Sequence, residues 1–188
     1  SQIRHPNLAT IYSSGQTSDN QPYIVSEHIE GFSLADRLRR LEQQQSPAHA
    51  VYALTLIRQI ASGLALAERL DYFHYELTPK HILLKTVTLK TDDSAVLLNL
   101  DMPFEFTMNQ DPTEGSYSAP YLSPEQLNNT HIDGRSHVYS LGTILFQLLT
   151  GKLPDQNKPS WQLPLLTVSD QETSLRELRG DLAPETYA

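Results

Sequence analysis

The chain of 188 residues has no cysteine, which removes disulfides, thiolate zinc sites and cysteine nucleophiles together. That absence says little about compartment. Basic residues are scarce: 14 Lys and Arg stand against 22 Asp and Glu, a formal net charge of −8. Such a balance argues against a nucleic-acid backbone or an anionic membrane surface as partner. No apolar stretch approaches the length of a transmembrane span. The start, "SQIRHPN", has neither the apolar core of a signal peptide nor an initiator Met, so a piece of a longer protein is expected. Internal repeats, long low-complexity runs, an HExxH motif and a Ser-His-Asp hydrolase elbow are also lacking.

What remains reads as one globular unit, with 39% hydrophobic and 19% charged residues. "LATIYSS" and "QPYIVSEHI" are β-branched and aromatic, and the turn-rich "GQTSDNQP" between them predicts a hairpin. In "SLADRLRRLEQQQ", Ser33 and Asp36 form a capping box that opens a short helix. "SPAHAVYALTLIRQIASGLALAERL" predicts a longer helix, with Ser46 as cap and Pro47 in the first turn. Its apolar stripe is Ala53, Leu56, Ile57, Ile60, Leu64 and Ala67, the pattern of a core-facing helix.

"HILLK" and "AVLLNL" predict a small strand pair, and Asp92 and Asp93 between them read as turn residues. "SHVYSLGTILFQLLTG" is apolar almost all round, as a buried central helix ended by Gly151 would be. Beyond it lies a proline-rich polar tail with one weak helical stretch, "DQETSLRELR". Strands first and then mostly helices, without βαβ alternation, make an α+β arrangement.

Five stretches in order resemble landmarks of the protein kinases, in the bacterial serine/threonine style. "IRHPNLATIY" is similar to the HPN turn after the family's regulatory helix, and "YIVSEHIEGFSLADRL" to the strand, hinge and helix that follow. "HYELTPKHIL" lies on HRDLKPxNIL and "YLSPEQL" on YMAPEQL. "DGRSHVYSLGTILFQLLTGKLP" lies on DGRSDIYSLGxxLxxLLTGxxP. "LRELRGDLAPE" fits the stretch usual after that helix. The resemblance implies one partial kinase-like domain over 1–188: late N-lobe strands and hinge in 1–29, and a mainly helical C-terminal lobe in 30–188, cut before its last helices. The Gly-rich loop and the phosphate-holding lysine would lie upstream.

The same resemblance assigns roles. Glu76 falls at the aspartate that accepts the substrate proton, one methylene longer, and a misplacement of about 1 Å can cost roughly 10²-fold in rate. His81 stands at the magnesium-holding asparagine, although Mg²⁺ prefers oxygen ligands. Thr78 replaces a phosphate-neutralising lysine, Tyr75 an arginine that reads loop phosphorylation, and His137 an aspartate that braces the loop from the central helix. The metal-binding DFG falls on Asn99-Leu100-Asp101, the preferred register, or on Asp101-Met102-Pro103. Residues two apart in an extended chain share a side, so Asp101 would reach the pocket in either register. Ser26 falls at the gatekeeper, Glu27 and Ile29 at hinge positions that meet adenine, and Leu83 at the pocket floor.

Ser116, Tyr117 and Ser118 would lie in the activation loop, most simply as ordinary loop residues. Ser123-Pro124-Glu125 keeps the APE pattern, whose glutamate normally pairs with an arginine in a helix past Ala188. His74, His81 and His137 would gather around the loop. Three imidazoles could hold a metal or respond to pH, but a structural histidine and two replacements is the simpler reading.

The expectation is therefore a pseudokinase module that regulates or scaffolds protein partners from the cytoplasm. Trp161 in "QNKPSWQLPLL" would be a candidate anchor, or would pack on its own lobe. No cofactor is expected for this chain alone. ATP and Mg²⁺ would belong to a full-length parent, and the cut lobe could self-associate. The alternatives are a divergent serine/threonine kinase, with Glu76 as base and Asp101 on the metal, and a nucleotide-sensing domain without catalysis.

Overall fold

In the computed structural model, residues 3–86, 93–100, 119–128 and 130–154 are described. Asp101, Ser116, Tyr117, Ser118, Trp161 and the weak helical stretch of the tail therefore lie outside the described residues.

Strands β1 (Ile11–Gln16) and β2 (Pro22–Ser26) form the expected antiparallel hairpin. After the hinge, Gly31 leads into a two-residue strand β3 (Phe32–Ser33), which the sequence pattern did not announce. It pairs with β4 (Ile82–Thr86), and β4 pairs with β5 (Asp93–Leu97), in the order β3-β4-β5. Helix α1 (Leu34–Gln43) starts at the predicted capping box: Ser33 accepts from the Asp36 N–H while the Asp36 carboxylate accepts from the Ser33 N–H.

Helix α2 spans Ala50–Glu68, and the predicted start at Ser46 and Pro47 is corrected. His49 occupies the cap position without a side-chain cap bond. The reason is tertiary: the Ala48 N–H donates to the Leu148 carbonyl (2.9 Å), so the chain at 46–49 is committed to another helix end. Ala53, Leu56, Ile60, Leu64 and Ala67 are buried as the stripe predicted, and Ile57 packs at its edge. The expectation that no stretch approaches a membrane span is also corrected. By length and composition α2 qualifies, with a mean hydropathy of 1.5 over its most apolar window. Its stripe nevertheless packs in the protein core.

Short helix α3 (Pro124–Leu127) follows a 3₁₀ turn at Ala119–Tyr121. Helix α4 (Gly134–Thr150) is the buried central element, and Gly151 ends it in the left-handed conformation at φ 72°. One core unites α1, α2, the three-stranded sheet and α4; Ile144, Leu148, Leu149, Ile82 and Leu84 are fully buried in it. Asn7 joins the sheet to α2, donating to the Ala95 carbonyl (2.8 Å) and to Gln59 Oε1 (3.3 Å). Asp93 is not the plain turn residue expected. It opens β5 and accepts from the Tyr52 hydroxyl at 2.5 Å; burial, together with this bond, pushes the phenol pKa upward.

Candidate functional site

The loop Phe73–His81 hangs between α2 and β4 and is held through both its backbone and the side chains of His74, Leu77 and His81. His74 is buried, and its Nε2 donates to the Leu98 carbonyl at 2.9 Å. Burial pushes its pKa down to about 3, helped by the His81 imidazole, so the ring is neutral. The Tyr75 carbonyl accepts from Gln126 Nε2 at 2.7 Å, and the His81 carbonyl accepts from the Leu98 N–H at 2.8 Å. Leu77 and Thr78 are buried beneath the loop, and Pro79 opens a 3₁₀ turn that delivers the chain into β4.

Glu76 is half-buried, and its carboxylate makes no hydrogen bond to any described residue. Its carbonyl takes His81 Nδ1 at 2.7 Å, while Thr78 Oγ1 lies 3.3 Å from the same nitrogen. With its Nδ1 proton donated inward, the His81 ring keeps only Nε2 as a lone-pair donor. Asn99 is exposed in the left-handed region at φ 57°, which asparagine tolerates better than most residues. Leu100, next to it, is buried in the core.

These donors do not fit a magnesium ion. The His81 imidazole and the neutral Asn99 carboxamide are poor ligands for a hard divalent cation, which prefers charged oxygen. Among the described residues no group of three His, Asp or Glu is disposed to hold a metal. His74, His81 and His137 do gather: the His74 and His81 rings are 5.5 Å apart, and His137 Nε2 lies 3.3 Å from the His74 N–H. Each of these imidazoles has a protein partner.

The hinge positions keep a different character. The Glu27 N–H donates to the Thr10 carbonyl (2.8 Å), and its carboxylate pairs with Lys85 (3.3 Å) and accepts from the Thr10 N–H. These bonds hold the Glu27 carboxyl below its usual range. Lys85 and Leu83 share one face of β4, so Glu27 and the Leu83 floor lie on the same side of the sheet. Leu83 is half-buried between fully buried Ile82 and Leu84. The Ile29 N–H donates to no described residue, and Ser26 ends β2 at the edge of the same hinge.

A platform of polar bonds fixes 119–128 beside the loop. Ser140 Oγ donates to the Tyr121 carbonyl (2.7 Å), the Tyr121 hydroxyl to Gln147 Oε1 (2.6 Å), and Ser136 Oγ to Glu125 Oε1 (2.5 Å). Glu125 therefore has a partner within α4. Sequence reasoning missed Gln126, which caps α3 and reaches the loop; its signal was the Ser-x-x-Gln capping pattern inside "YLSPEQL". Replacing Gln126 with Ala should leave the Tyr75 carbonyl unpaired at about 1–3 kcal/mol. Urea denaturation reads this directly, and a change below about 0.5 kcal/mol would show that water satisfies the carbonyl.

A hairpin joined through 27–31 to a mainly helical body, with a loop between α2 and β4 and a pinned segment ahead of the central helix, is an arrangement consistent with the kinase fold. The family model for protein tyrosine and serine/threonine kinases matches residues 1–177, and the chain belongs to that family. It is 32% identical over 155 residues to the serine/threonine-protein kinase PrkC of Bacillus subtilis, covering 82% of this chain and 22% of that protein. It is 33% identical over 149 residues to PknL of Mycobacterium tuberculosis, covering 78% of this chain and 35% of that one. The chain thus spans well under half the length of these relatives. Among solved structures, the kinase domain of Mycobacterium tuberculosis PknI matches with a TM-score of 0.68 at 18% identity, over 95% of this chain and 59% of that one. That likeness supports the fold.

Proposed function

We propose that this chain is a kinase-fold module that regulates or scaffolds partner proteins, with little or no phosphotransfer, and that it works in the cytoplasm. One observation carries the reading. The loop backbone is tied to its surroundings at His74, Tyr75 and His81, while two positions that would do chemistry are turned away: Thr78 is buried and His81 Nδ1 is bound to the Glu76 carbonyl. Selection for phosphate transfer needs those side chains; selection for a shape needs only the backbone.

The hinge favours a second reading, nucleotide sensing without catalysis, because the Ile29 N–H donates to no described residue and Leu83 is only half-buried beside it. ATP would then bind through main-chain groups with no need of a metal. A divergent kinase using Glu76 and Asp101 is the third reading.

The test is a thermal-shift titration with ATP, with and without Mg²⁺, on the protein at its natural length. A ligand at 100 times its Kd stabilises a fold by about 2.7 kcal/mol, a clear rise in midpoint. The expected result is no magnesium-dependent rise at millimolar ATP and no phosphate incorporation. A metal-independent rise moves the reading to nucleotide sensing. A magnesium-dependent rise, with phosphotransfer lost in Glu76→Ala, overturns the proposal.

A further inference from the structure

The resemblance puts His137 where an aspartate braces the loop from the central helix, so one support of the loop is expected to be changed. The structure shows that position still engaged. His137 is 95% buried in the first turn of α4, stacked on Phe73 with ring centroids 4.1 Å apart and planes 21° apart. Its Nδ1 lies 2.6 Å from Glu68 Oε1, at the C-terminal end of α2. Its Nε2 lies 3.3 Å from the His74 N–H and 3.2 Å from the His74 carbonyl.

A neutral imidazole carries one proton, and its position decides what the ring can do. With the proton on Nε2, the lone pair of Nδ1 would face the Glu68 carboxylate, and lone pair against carboxylate is repulsive. With the proton on Nδ1, that nitrogen donates to the carboxylate in a charge-assisted bond and the Nε2 lone pair accepts the His74 N–H. The carboxylate therefore keeps a proton on Nδ1 and turns Nε2 to the His74 backbone, where a bare nitrogen accepts the N–H.

We propose that Glu68 and His137 act as one positioning unit, a carboxylate–imidazole relay from α2 through α4 to the loop backbone at His74. The relay returns with two side chains the acceptor that a single carboxylate at 137 would supply. Gly134 belongs to the same device. A Cβ at that position would sit 2.6 Å from Glu68 Oε1, so the carboxylate reaches across the first turn of α4 because residue 134 has no side chain. Phe73 keeps the ring in plane. The relay holds whether or not the loop transfers phosphate, so its test does not depend on activity.

The experiment uses the natural-length protein labelled with ¹⁵N-histidine. Two-bond ¹H–¹⁵N correlations assign the His137 tautomer, and hydrogen exchange follows the His74 amide. The expected wild-type result is an Nδ1-protonated ring and a protected His74 amide. Glu68→Ala should erase the tautomer preference and raise His74 exchange about tenfold, the loss of roughly one hydrogen bond. The double variant Glu68→Ala/His137→Asp should return His74 protection to within about threefold of wild type, because a carboxylate accepts the N–H with no partner to orient it. A generic packing role for Glu68 would give no such rescue. An Nε2-protonated ring in wild type, or unchanged tautomer and exchange in Glu68→Ala, overturns the proposal. So does a folded double variant that exchanges as fast as Glu68→Ala. Circular dichroism establishes folding, and if the double variant does not fold, the tautomer in Glu68→Ala decides alone.

Discussion

Acidification from pH 7 to pH 5 should cost the fold about 2 kcal/mol through His74 alone. The ring is held neutral in the folded protein, where burial pushes its pKa down to about 3 from the ordinary 6.5. In the unfolded chain it takes up a proton below about pH 6.5. Between those two values the unfolded state binds the extra proton, so stability rises with pH and falls as pH drops, at up to about 1.4 kcal/mol per unit. Above pH 6.5 both states are neutral and the contribution is flat.

Denaturation midpoints from pH 7.5 to 5 measure this above the range where ordinary carboxylates titrate. His74→Gln keeps an N–H donor for the Leu98 carbonyl and has no proton to gain, so its slope should be shallower by about that amount. Equal slopes for the two proteins would mean that His74 is solvated enough to charge in place. The consequence for the site is direct: the Leu98 carbonyl held by this ring immediately precedes Asn99.

A second large effect is expected at Gly31. A Cβ there would meet the Leu84 carbonyl oxygen at 2.3 Å and its carbon at 3.0 Å, both backbone atoms of β4 that no side-chain rotation can move. Gly31→Ala should cost about 3 kcal/mol, at the upper end of overpacking. The damage should spread, since Phe32 pairs with Leu84 and Ser33 caps α1. Gly142→Ala supplies the contrast. Nothing described lies within 4 Å of a Cβ there, and it is inside α4, so Ala should stabilise by about 0.5–1 kcal/mol. Urea denaturation of both variants is decisive. A Gly31→Ala protein within about 0.5 kcal/mol of wild type would show that the hinge can lift from the sheet without loss.

These two effects arise where the sequence is least informative. The capping box at Ser33 and Asp36, the stop at Gly151 and the stripe from Ala53 to Ala67 were legible because each depends on neighbours within a few residues. The order of motifs was legible for the same reason, each being a short local pattern. The start of α2 was misread because the Ala48 N–H is bound by Leu148, a residue 100 positions away. Asp93 was read as a turn residue because its hydroxyl partner, Tyr52, lies on α2, 41 positions away. Glu68 carried no signal at all, and the capping pattern at Gln126 gave no hint that its side chain reaches the loop.

The sequence by itself determined the class of fold and the helix and hairpin boundaries governed by local hydrogen bonding. It could also mark His137 as a departure from the family. Only the tertiary structure decided what that departure does. Whether an imidazole supports or releases the loop depends on which nitrogen bears the proton, and the Glu68 carboxylate 2.6 Å away sets that. Separation in sequence hides such a contact, and a hydrogen bond depends only on distance and direction in space.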